Sequence, residues 1–545
     1  MDATERTSSE GAMGEAVHAL LADMASRSGA ENHADWMLFR HCREGRGSDA
    51  ALHFKGETYT YRQVACAATS CKDWLRSLGV GEGQAVLLAL PDCPTLAAAY
   101  FGVVCAGAIA IIVNPGLQLE DIFHIAQLSR AVVAIVDREV HGRVLPLQHL
   151  DGMRVVRAAD ESWRETSELF EGCPVGDAHD LVAAGARDDD AYGLLTSGST
   201  GRPKLIVHRH VDILYGYLGF ARAILNLDQA DRVACAAKMS TGYGLGSSLL
   251  MPMLAGASAA LVSEPPGQAL LDAIEDYRCT LLLGQPRFIA EATSAAEPHR
   301  HLRSLRLAVT GGEPLGTGLQ LRWAELCDAE LLDSYGNTEV GFLYVTNRPG
   351  AVRERSVGQP IAGLEVELVD ERGQEVAIGE LGRLRVRGPS VIRCYRGMPE
   401  ASRRSFDQGW FVTSDVFSRD ADGYLYVHGR ADHFIKLGCG DWVNPAEIEM
   451  ALLGHPEVDE CAVTGTPDSA GLTVLKAMVV ANVPSDGRVA LAADLGRLIQ
   501  KRWPGERFKH LDHIEFAVAL PRTPAGKLDR AKLNPQSMTE FSYRC

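Results

Sequence analysis

The stretch at residues 195–204 restricts the fold more than any other part of the chain. Hydroxyl and glycine residues alternate through it, and it ends in the cation Lys204. Apolar residues at 191–195 and 205–207 place it as a loop between two short strands. Glycines let a backbone approach a ligand closely, and hydroxyl and backbone N–H groups can donate to phosphate oxygens. The loop is not a Walker A loop, because the four-residue gap and the final Lys-Ser/Thr pair are missing.

Four further segments follow this loop in the chain. They lie at residues 335–339, 409–415, 429–449 and 521–527. A glycine- and serine-rich turn by itself is usually a plain connection between strands. In this order, however, the five segments resemble the acyl-adenylate-forming enzymes, which include acyl- and aryl-CoA ligases, luciferases and peptide-synthetase adenylation domains. The resemblance extends from about residue 52 to residue 533.

Shorter stretches narrow the resemblance to one branch. Residues 236–239, 243–246 and 347–352 are similar to the benzoate-CoA ligase branch. The resemblance implies ATP, Mg²⁺ and coenzyme A as cofactors or substrates. It also implies two half-reactions: a carboxylate attacks the α-phosphate of ATP to give acyl-AMP and pyrophosphate, and a thiol then displaces AMP.

Composition excludes some classes of partner. The formal net charge of −16 argues against general binding to nucleic acid or anionic membranes, but not against a local cationic site. The 13 cysteines contain no Cys-x-x-Cys pair, so we expect buried small thiols in a reducing compartment. His and Cys do not cluster at ligand spacing, so no zinc site is expected, and His208 and His210 should simply follow a strand. The N-terminus lacks the pattern of a secretory signal, which favours a cytoplasmic protein.

Apolar runs predict an α/β fold. Strands at 86–90, 132–136 and 305–309 alternate with helices such as 61–78, which is typical of a buried parallel sheet. The uncharged residues 95–113 contain two glycines and lie between prolines. They fit a buried helix, a glycine turn and a buried strand better than a membrane span.

The pattern then changes towards the C-terminus. Period-two alternation predicts a small antiparallel, β-barrel-like subdomain at about 350–430, followed by a small α+β module. The resemblance implies the same plan. It gives a large N-terminal domain at 1–431, a small mobile C-terminal domain at 432–545, and a hinge at Asp432.

The resemblance assigns catalytic roles to Lys527, Thr338 and Glu339. Lys527 would bridge the carboxylate and the α-phosphate, Thr338 would donate to the α-phosphate, and Glu339 would hold Mg²⁺. Asp415 would accept hydrogen bonds from the ribose hydroxyls. The expected ATP- and AMP-binding residues are Thr196, Ser197, Gly198, Ser199, Thr200, Gly201, Lys204, Gly312, Glu313, Pro314, Ser334, Tyr335, Gly336, Asn337, Thr338, Asp415, Arg430 and Lys527.

The expected acyl pocket departs from the benzoate-CoA ligase pattern. Its residues are Ser240, Thr241, Tyr243, Gly244, Gly311 and Gly336. Ser240 and Thr241 stand where benzoate-type ligases have two bulky rings. Unless other residues fill the space, this favours an acid larger than benzoate.

The expected thiol tunnel also departs from the family. It would be lined by Lys436, Gly438, Cys439, Gly440 and Trp442, in a loop that is one residue longer than usual. Trp442 would either narrow or reshape the tunnel, or the extra residue is a tolerated surface insertion. Cys439 is expected to be a spacer and not a nucleophile.

The leading hypothesis is an enzyme that converts an aryl or bulky polycyclic carboxylic acid to its CoA thioester. Its partners would be the small-molecule acid, ATP and CoA, with no nucleic acid or membrane, and a homodimer is compatible with the sequence. Two alternatives stay open: an adenylating enzyme that loads a carrier protein, and a protein that binds an acyl-adenylate without turnover. The presence of Lys527, Asp415 and Glu339 argues against a binding protein without turnover.

Overall fold

The computed structural model describes most of the chain. It covers residues 15–17, 19–20, 22, 31–150, 153–158, 183–196, 203–263, 267–295, 298–313, 315–439, 441–481, 483–522, 528–533 and 541–544. The chain divides into two compact units. The larger is formed by Met1–Leu315, Leu319–Glu367 and Arg385–Val412, and the smaller by Gly316–Gly318, Leu368–Leu384 and Thr413–Cys545. The smaller unit thus begins upstream of the predicted domain boundary, and the hinge at Asp432 stays a prediction.

The strands of the described residues are numbered in chain order. They are β1 (Ala50–Phe54), β2 (Glu57–Thr60), β3 (Ala85–Ala89), β4 (Ile109–Ile112), β5 (Val133–Val136), β6 (Arg154–Arg157), β7 (Asp190–Thr196), β8 (Lys204–Arg209), β9 (Arg232–Cys235), β10 (Ser258–Ala260), β11 (Leu281–Gly284), β12 (Leu307–Gly311), β13 (Glu330–Gly336), β14 (Leu343–Thr346), β15 (Gln359–Pro360), β16 (Glu365–Val369), β17 (Gly382–Arg387), β18 (Phe406–Asp407), β19 (Trp410–Arg419), β20 (Leu425–Arg430), β21 (Ile435–Lys436), β22 (Trp442–Val443), β23 (Val458–Pro467), β24 (Thr473–Ala481), β25 (His513–Phe516) and β26 (Phe541–Arg544).

Helices lie between these strands. The α-helices are Arg40–Arg43, Tyr61–Ser77, Pro94–Cys105, Leu119–Ser129, Arg138–Val144, Asp212–Gly216, Gly242–Leu245, Met251–Ala255, Gln268–Asp276, Pro286–Ser294, Pro298–Leu302, Thr317–Leu326, Pro399–Ser405, Pro445–Leu453 and Arg488–Arg502. Short π- and 3₁₀-helical segments are Asp35–Phe39, Leu145–His149, Tyr217–Arg222, Gly246–Leu250, Thr338–Val340, Ala431–His433, Arg507–Lys509 and Arg530–Lys532.

Two largely parallel sheets form the larger unit. One has nine strands in the order β15-β14-β13-β12-β11-β9-β10-β1-β2, and its six middle strands from β13 to β1 are parallel. The other has six strands in the order β6-β5-β3-β4-β7-β8, with β8 antiparallel to β7. The alternation of buried strands and helices confirms the predicted α/β fold. Carboxyl ends of parallel strands share one edge of a sheet, which is where ligands bind in such folds.

The apolar stretch at 95–113 folds as the sequence predicts. Pro94 is at the N-terminus of the helix Pro94–Cys105, all of whose residues are buried. Gly107 follows with φ +77°, a conformation that favours glycine, and the chain enters buried β4. Within the part of the chain that is described, no helix combines the length and apolar character needed to cross a membrane.

Two expectations about single residues were wrong. The strand predicted at 305–309 begins at Leu307, because the N–H of Leu305 bonds to the carbonyl of Leu302 in a turn. The cysteines were expected to be buried, but Cys394 and Cys439 are exposed. Both lie in loops, where no packed element covers the side chain.

A further sheet comes from residues 365–430. Its strands run in the order β16-β17-β19-β18, and β20 pairs with β19. Strands β18 and β20 are antiparallel to β19, as hairpin connections require. Asp415 on β19 pairs with Arg430 on β20.

The smaller unit has its own apolar core. Strands β23-β24-β25-β26 form a four-stranded sheet, and the helices Pro445–Leu453 and Arg488–Arg502 contribute buried Ile448, Leu452 and Leu495 to it. This agrees with the predicted α+β module. A separate hairpin, β21–β22, precedes the first of these helices.

Candidate active site

The hydroxyl- and glycine-rich stretch connects two strands of a hairpin. Thr196, the last residue of β7, pairs with Lys204, the first residue of β8. This confirms the predicted strand–loop–strand arrangement. The loop itself, with Ser197, Gly198, Ser199, Thr200 and Gly201, lies outside the described residues. The two residues that flank it, Thr196 and Lys204, are paired across the hairpin and so lie one strand-to-strand spacing apart.

Lys204 is connected to Glu339 through Tyr395. The Tyr395 hydroxyl donates to Oε1 of Glu339 at 2.8 Å, and Nζ of Lys204 lies 4.4 Å from the centre of the tyrosine ring. Glu339 is 6% exposed and Tyr395 is 3% exposed. Half-buried Lys204 and buried Glu339, which are far apart in the sequence, therefore both contact Tyr395. Tyr395 was missed, because it lies in a segment with no periodic pattern or motif that would mark it.

The turn after β13 holds Thr338 and Glu339. A Cβ at Gly336 would lie 2.4 Å from the carbonyl oxygen of Phe342, so only glycine fits this crossing. The chain then forms the 3₁₀ turn Thr338–Val340. The backbone carbonyl of Thr338 accepts a hydrogen bond from Nε2 of buried His208 at 2.7 Å.

His208 corrects a prediction. It lies inside β8 and not after it, and its ring contacts the active-site turn. Its Nδ1 lies 3.4 Å from Oδ2 of Asp212, a carboxylate that also accepts two hydrogen bonds from the Arg209 guanidinium. The strand pattern marks His208 as buried, but only the tertiary fold reveals that it supports Thr338.

Several residues expected in the nucleotide site and the acyl pocket lie at adjacent strand ends. Gly311 ends β12 opposite Ser334 on β13, and Gly312 follows it with φ +88°. The Ser334 hydroxyl is hydrogen-bonded to the Thr346 hydroxyl at 2.7 Å, so that side chain contacts β14. Glu313 is half-buried beside Gly312, and Pro314 lies outside the described residues.

Side chains at the end of β13 and just after it contact Tyr344 on β14. The Tyr335 ring stands edge-on to the Tyr344 ring at 5.7 Å, and the Tyr344 hydroxyl donates to Oδ1 of Asn337 at 2.6 Å. Asp333, which precedes them, is buried, and burial raises the pKa of its carboxyl to about 8. No motif or spacing in the sequence marks Asp333 or Tyr344.

The expected acyl-pocket segment lies beside Thr338. A Cβ placed on Gly242 would be 3.5 Å from Cγ2 of Thr338. Thr241 precedes Gly242 as a helix cap: its hydroxyl donates to the Lys238 carbonyl at 2.8 Å and accepts from the Gly244 N–H at 3.1 Å. A Cβ on Gly244 would lie 2.0 Å from the Lys238 carbonyl oxygen, so this position requires glycine.

Aromatic rings cluster behind this segment. The Tyr243 hydroxyl donates to the Val309 carbonyl at 3.0 Å, and its ring centre lies 5.9 Å from that of Phe342. Phe342 is in turn 5.3 Å from Phe220. Phe342 and Phe220 were missed by the sequence analysis. Phe342 and Phe220, which are distant in sequence, therefore add aromatic bulk to that of Tyr243 behind the segment, while Ser240 and Thr241 are small.

A buried carboxyl group supports the start of the segment. Oδ2 of Asp92 accepts a hydrogen bond from the Met239 N–H at 3.0 Å. Burial raises the pKa of Asp92 to about 6, although nearby Lys238 and this hydrogen bond act in the opposite direction. Nζ of Lys238 donates to the Ser263 carbonyl at 3.1 Å.

Asp415 and Arg430 belong to the smaller unit. They face each other across β19 and β20, and the Asp415 N–H donates to the Thr413 hydroxyl at 3.1 Å. Asn444, the cap of the helix Pro445–Leu453, donates to the His428 carbonyl on β20. Asp432 lies between these elements, in the 3₁₀ turn Ala431–His433.

The segment expected to line the thiol tunnel is the β21–β22 hairpin. Lys436 pairs with Trp442, and the Leu437 N–H donates to the Asp441 carbonyl at 2.9 Å. The Gly438 N–H bonds to the Thr473 carbonyl at 2.9 Å, which anchors the loop to β24. Cys439 is exposed, with Sγ 3.3 Å from Oδ2 of Asp441. Gly440 and the Trp442 side chain lie outside the described residues.

Lys527 also lies outside the described residues, but its flanks do not. Arg522 pairs with Leu528 in an isolated antiparallel bridge, which closes the loop that carries the lysine. After the loop, Arg530 forms an ion pair with Glu449 at 2.7 Å. Glu449 is buried and also accepts from the Val463 N–H at 2.7 Å. The base of the lysine loop is therefore tied to β23 and to the helix Pro445–Leu453.

Comparison with known proteins agrees with this arrangement. The family model described as AMP-binding enzyme matches residues 38–396, and that described as AMP-binding enzyme C-terminal domain matches residues 447–527. The chain therefore belongs to the AMP-binding enzyme family.

Relatives extend over nearly the whole chain. It is 30% identical over 529 residues to 3-hydroxybenzoate–CoA ligase of Aromatoleum sp. (strain CIB), with 94% of this chain and 98% of that protein covered. It is 31% identical over 512 residues to p-hydroxybenzoic acid–AMP ligase of Mycobacterium tuberculosis (strain ATCC 25618 / H37Rv), with 92% and 69% covered. The structure of the anthranilate CoA ligase AuaEII with anthranoyl-AMP is similar at 31% identity and a TM-score of 0.84, with 92% and 96% covered. The chain is an acid–thiol ligase of the benzoate-CoA ligase branch.

Proposed function

We propose that this protein activates an aryl carboxylic acid with ATP and transfers the acyl group to coenzyme A. The observation that carries the proposal is the contact of half-buried Lys204 and buried Glu339 with the same buried Tyr395, next to the Thr338 turn. It joins a cation and a carboxylate at the carboxyl edge of the sheets. The aryl-CoA ligases and the aryl-AMP ligase among its relatives support the choice of acid.

In the first half-reaction, a carboxylate oxygen of the acid attacks the α-phosphorus of ATP. The bond from that phosphorus to the bridging oxygen breaks, and pyrophosphate leaves with the electron pair. Two anions must approach each other, so cations and preorganised donors are required. We assign this role to Lys204, the 197–201 loop, the Thr338 hydroxyl and Lys527.

Glu339 is the residue that would hold Mg²⁺. Among the described residues, no group of three or more His, Cys, Asp or Glu side chains is placed to hold a metal ion. Mg²⁺ in a nucleotide site usually takes one or two carboxylates and completes its shell with phosphates and water, so the single carboxylate of Glu339 is the group we assign to it. Bound there, it would neutralise charge on the phosphates.

The acyl pocket supports an aromatic substrate. Tyr243 and Phe342 present rings beside the 240–244 segment, and aromatic side chains pack well against aryl groups. We further propose that Ser240 and Thr241 leave room for an acid bulkier than benzoate.

In the second half-reaction, the thiolate of coenzyme A attacks the carbonyl carbon of acyl-AMP. The carbon–oxygen bond to AMP breaks, AMP leaves, and the thiol proton passes to solvent. We propose that the β21–β22 hairpin guides the pantetheine arm after the C-terminal domain turns at Asp432. A hydrogen bond from Asn444 to the His428 carbonyl joins residues on either side of Asp432 in the sequence.

The decisive experiment is a panel of carboxylic acids with ATP and Mg²⁺. Acid-dependent pyrophosphate release reports adenylation, and mass spectrometry reports acyl-AMP and the thioester. We expect an aryl acid to give pyrophosphate release, AMP and an acyl-CoA. Glu339→Gln should lose most of this activity, while the matched variant Glu325→Gln on an exposed helix face should retain it. If no acid stimulates pyrophosphate release, the proposed function is wrong.

A second candidate is an adenylating enzyme that loads a carrier protein. It is favoured by the relative that is an aryl-AMP ligase and by the exposed residues of the 437–441 loop. Replacing CoA with a phosphopantetheine-bearing carrier protein in the same assay separates the two candidates. An acyl-adenylate-binding protein without turnover would release no pyrophosphate with any acid.

A further inference from the structure

We infer that Tyr395 is a positioning residue for adenylation, because its hydroxyl orients the Glu339 carboxylate while its ring fixes the Lys204 ammonium. The inference rests on the proposed function, which assigns the carboxylate to the metal and the ammonium to the phosphates. Tyr395 itself contacts neither the acid nor the reacting phosphorus in this scheme. It acts through the two charged groups.

The hydroxyl contact is short and buried. The Tyr395 O–H donates to Oε1 of Glu339 at 2.8 Å, and both residues are nearly inaccessible to solvent. A hydrogen bond to an ionised carboxylate is stronger than one between neutral groups. It therefore restricts the rotation of the Glu339 carboxylate and holds its oxygens in one orientation.

The ring contact restrains a second charge. Nζ of Lys204 lies 4.4 Å from the ring centre, within the range of a cation–π interaction. One tyrosine thus contacts the carboxylate through its hydroxyl and the ammonium through its ring. The separation of these two charges is then set by a rigid side chain with only two rotatable bonds.

The backbone around Tyr395 repeats the same connection. The Ile392 N–H donates to the carbonyl oxygen of Glu339 at 3.0 Å, and the Arg396 N–H donates to the carbonyl oxygen of Leu205 at 3.0 Å. Residues 392–396 therefore bind the backbone at both motifs, on either side of Tyr395. A segment that served only to cover the core would not need to pair with both.

The ring is itself held in place. The Tyr395 N–H donates to the Ser402 hydroxyl at 3.0 Å, and the ring stands edge-on to Phe406 at 5.3 Å. Ile206 and Ile392 complete the apolar cluster around it. Supporting residues of this kind fix the orientation of groups in a metal site and typically change its affinity or activity by about 10- to 100-fold when lost.

The test compares two substitutions. Tyr395→Phe keeps the ring and removes only the hydroxyl, whereas Tyr395→Leu removes both contacts. We expect Tyr395→Phe to raise the Mg²⁺ concentration needed for half-maximal pyrophosphate release by about 10-fold, with Tyr395→Leu affected more strongly. Thioester formation from supplied acyl-AMP should stay within about 2-fold of wild type, because that step does not use the metal–phosphate contact.

Two controls separate positioning from general stability. Tyr61→Phe also removes a buried tyrosine hydrogen bond, to the Ala257 carbonyl at 2.6 Å, but far along the chain from the site. It should not alter the Mg²⁺ requirement. In the double variant Tyr395→Phe/Glu339→Gln, the tyrosine substitution should have no further effect, because its partner carboxylate is gone.

Calorimetric binding of ATP with Mg²⁺ distinguishes failure of this inference from failure of the proposed function. A folded Tyr395→Phe variant with an unchanged Mg²⁺ requirement overturns the inference and leaves the function intact. If wild type releases no pyrophosphate yet binds ATP and Mg²⁺, with weaker binding in Tyr395→Phe, the function is wrong and the positioning role stands. If wild type binds neither ATP nor Mg²⁺, the inference and the proposed function are both wrong.

Discussion

The two units present their expected catalytic groups in different ways. In the larger unit, Glu339, Tyr395 and His208 are buried and joined by hydrogen bonds between distant segments. In the smaller unit, Lys436 and Cys439 are exposed on a hairpin, and the residues that flank the Lys527 segment, Arg522 and Leu528, are paired in a bridge. The larger unit preorganises charges, whereas the smaller unit carries side chains on anchored loops.

This difference has a consequence for the two half-reactions. Groups that must be preorganised against phosphate charge benefit from a fixed, desolvated setting. Groups that serve in only one half-reaction are better carried on loops that a moving domain can bring in and take away. Substitutions in the larger unit should therefore damage adenylation through geometry, and those on the loops of the smaller unit should damage one half-reaction alone.

The largest expected effect is that of Lys527→Ala. Loss of one cation at the attacking carboxylate and α-phosphate should slow acyl-AMP formation by about 10²–10³-fold. Thioester formation from supplied acyl-AMP should stay close to wild type, because the role proposed for the lysine is confined to the first step. The measurement is single-turnover kinetics of each half-reaction.

The exposed Lys501, on the helix Arg488–Arg502 of the same unit, supplies the control. Lys501→Ala should leave both half-reactions unchanged. Near wild-type acyl-AMP formation by Lys527→Ala would remove this residue from the site, and it would show that the loops of the smaller unit are not specialised for one step.

Lowering the pH should reduce the free energy of unfolding of the larger unit, because its buried histidines must take up protons. Burial lowers the pKa of His210 to about 4, although Asp189 and Asp212 raise it, and burial also lowers the pKa of His33, whose Nδ1 lies 3.1 Å from Nδ1 of His210. A folded pKa below the unfolded value of about 6.5 means that stability is present above pH 6.5 and is lost towards pH 4. Each such group contributes a loss of about 1.4 kcal/mol per pH unit within that window.

Urea unfolding at pH 7.5 and pH 5 measures this loss. His210→Asn should be less stable than wild type at pH 7.5 but should lose less stability on acidification. The exposed His149→Asn should behave as wild type at both pH values. The pH dependence of wild type alone does not report the histidines, because burial raises the pKa of Asp92 and Asp333 and these carboxyls stabilise the folded state as the pH falls. The histidine contribution is therefore the difference between wild type and His210→Asn. An identical pH dependence in His210→Asn would contradict the prediction.

Sequence patterns predicted the parts of the site that are local. The strand–loop–strand at 195–204, the turn at 335–339 and the buried helix and strand at 95–113 all depend on glycine, proline and apolar spacing, which act over a few residues. The resemblance to acyl-adenylate-forming enzymes then assigned the motif segments to one predicted active site.

Residues that support the site could not be predicted in this way. Tyr395 is 56 residues from Glu339, and His208 is 130 residues from Thr338. Their roles depend on which segments the sheets bring together, and a lone tyrosine in a coil or histidine in a strand has no spacing that reveals it. The same holds for Phe342, whose ring lies near the acyl-pocket segment, where the sequence has the small residues Ser240 and Thr241.

Substrate size tests the fixed geometry of the larger unit. Ser240→Phe should shift the ratio of kcat/KM towards small aryl acids by about 10-fold, since one side chain in a pocket changes discrimination by roughly 1–3 kcal/mol. Thr241→Phe should shift it in the same direction, with an added loss of stability because the Thr241 hydroxyl caps a helix. An unchanged ranking of bulky and small acids in Ser240→Phe would show that the pocket is bounded elsewhere.

The smallest effect is expected on the hairpin of the smaller unit. Trp442 pairs with Lys436 at the base of the 437–441 loop, and the loop is tied to β24 by the Gly438 N–H. We expect Trp442→Ala to raise the KM for CoA by about 3- to 10-fold, because a wall of the tunnel is lost while the anchored loop keeps its backbone path. Acyl-AMP formation should be nearly unchanged.

Cys439→Ser is the matched control on the same loop and should have a mild effect, because Cys439 is expected to be a spacer. Single-turnover kinetics with acyl-AMP and varied CoA gives both values. An effect of Trp442→Ala on adenylation alone would mean that the hairpin does not serve the thiol, and loss of thioester formation in Cys439→Ser would reveal a covalent role for the cysteine instead. Either result would end the distinction between a larger unit that fixes charge and a smaller unit whose loops each serve one step.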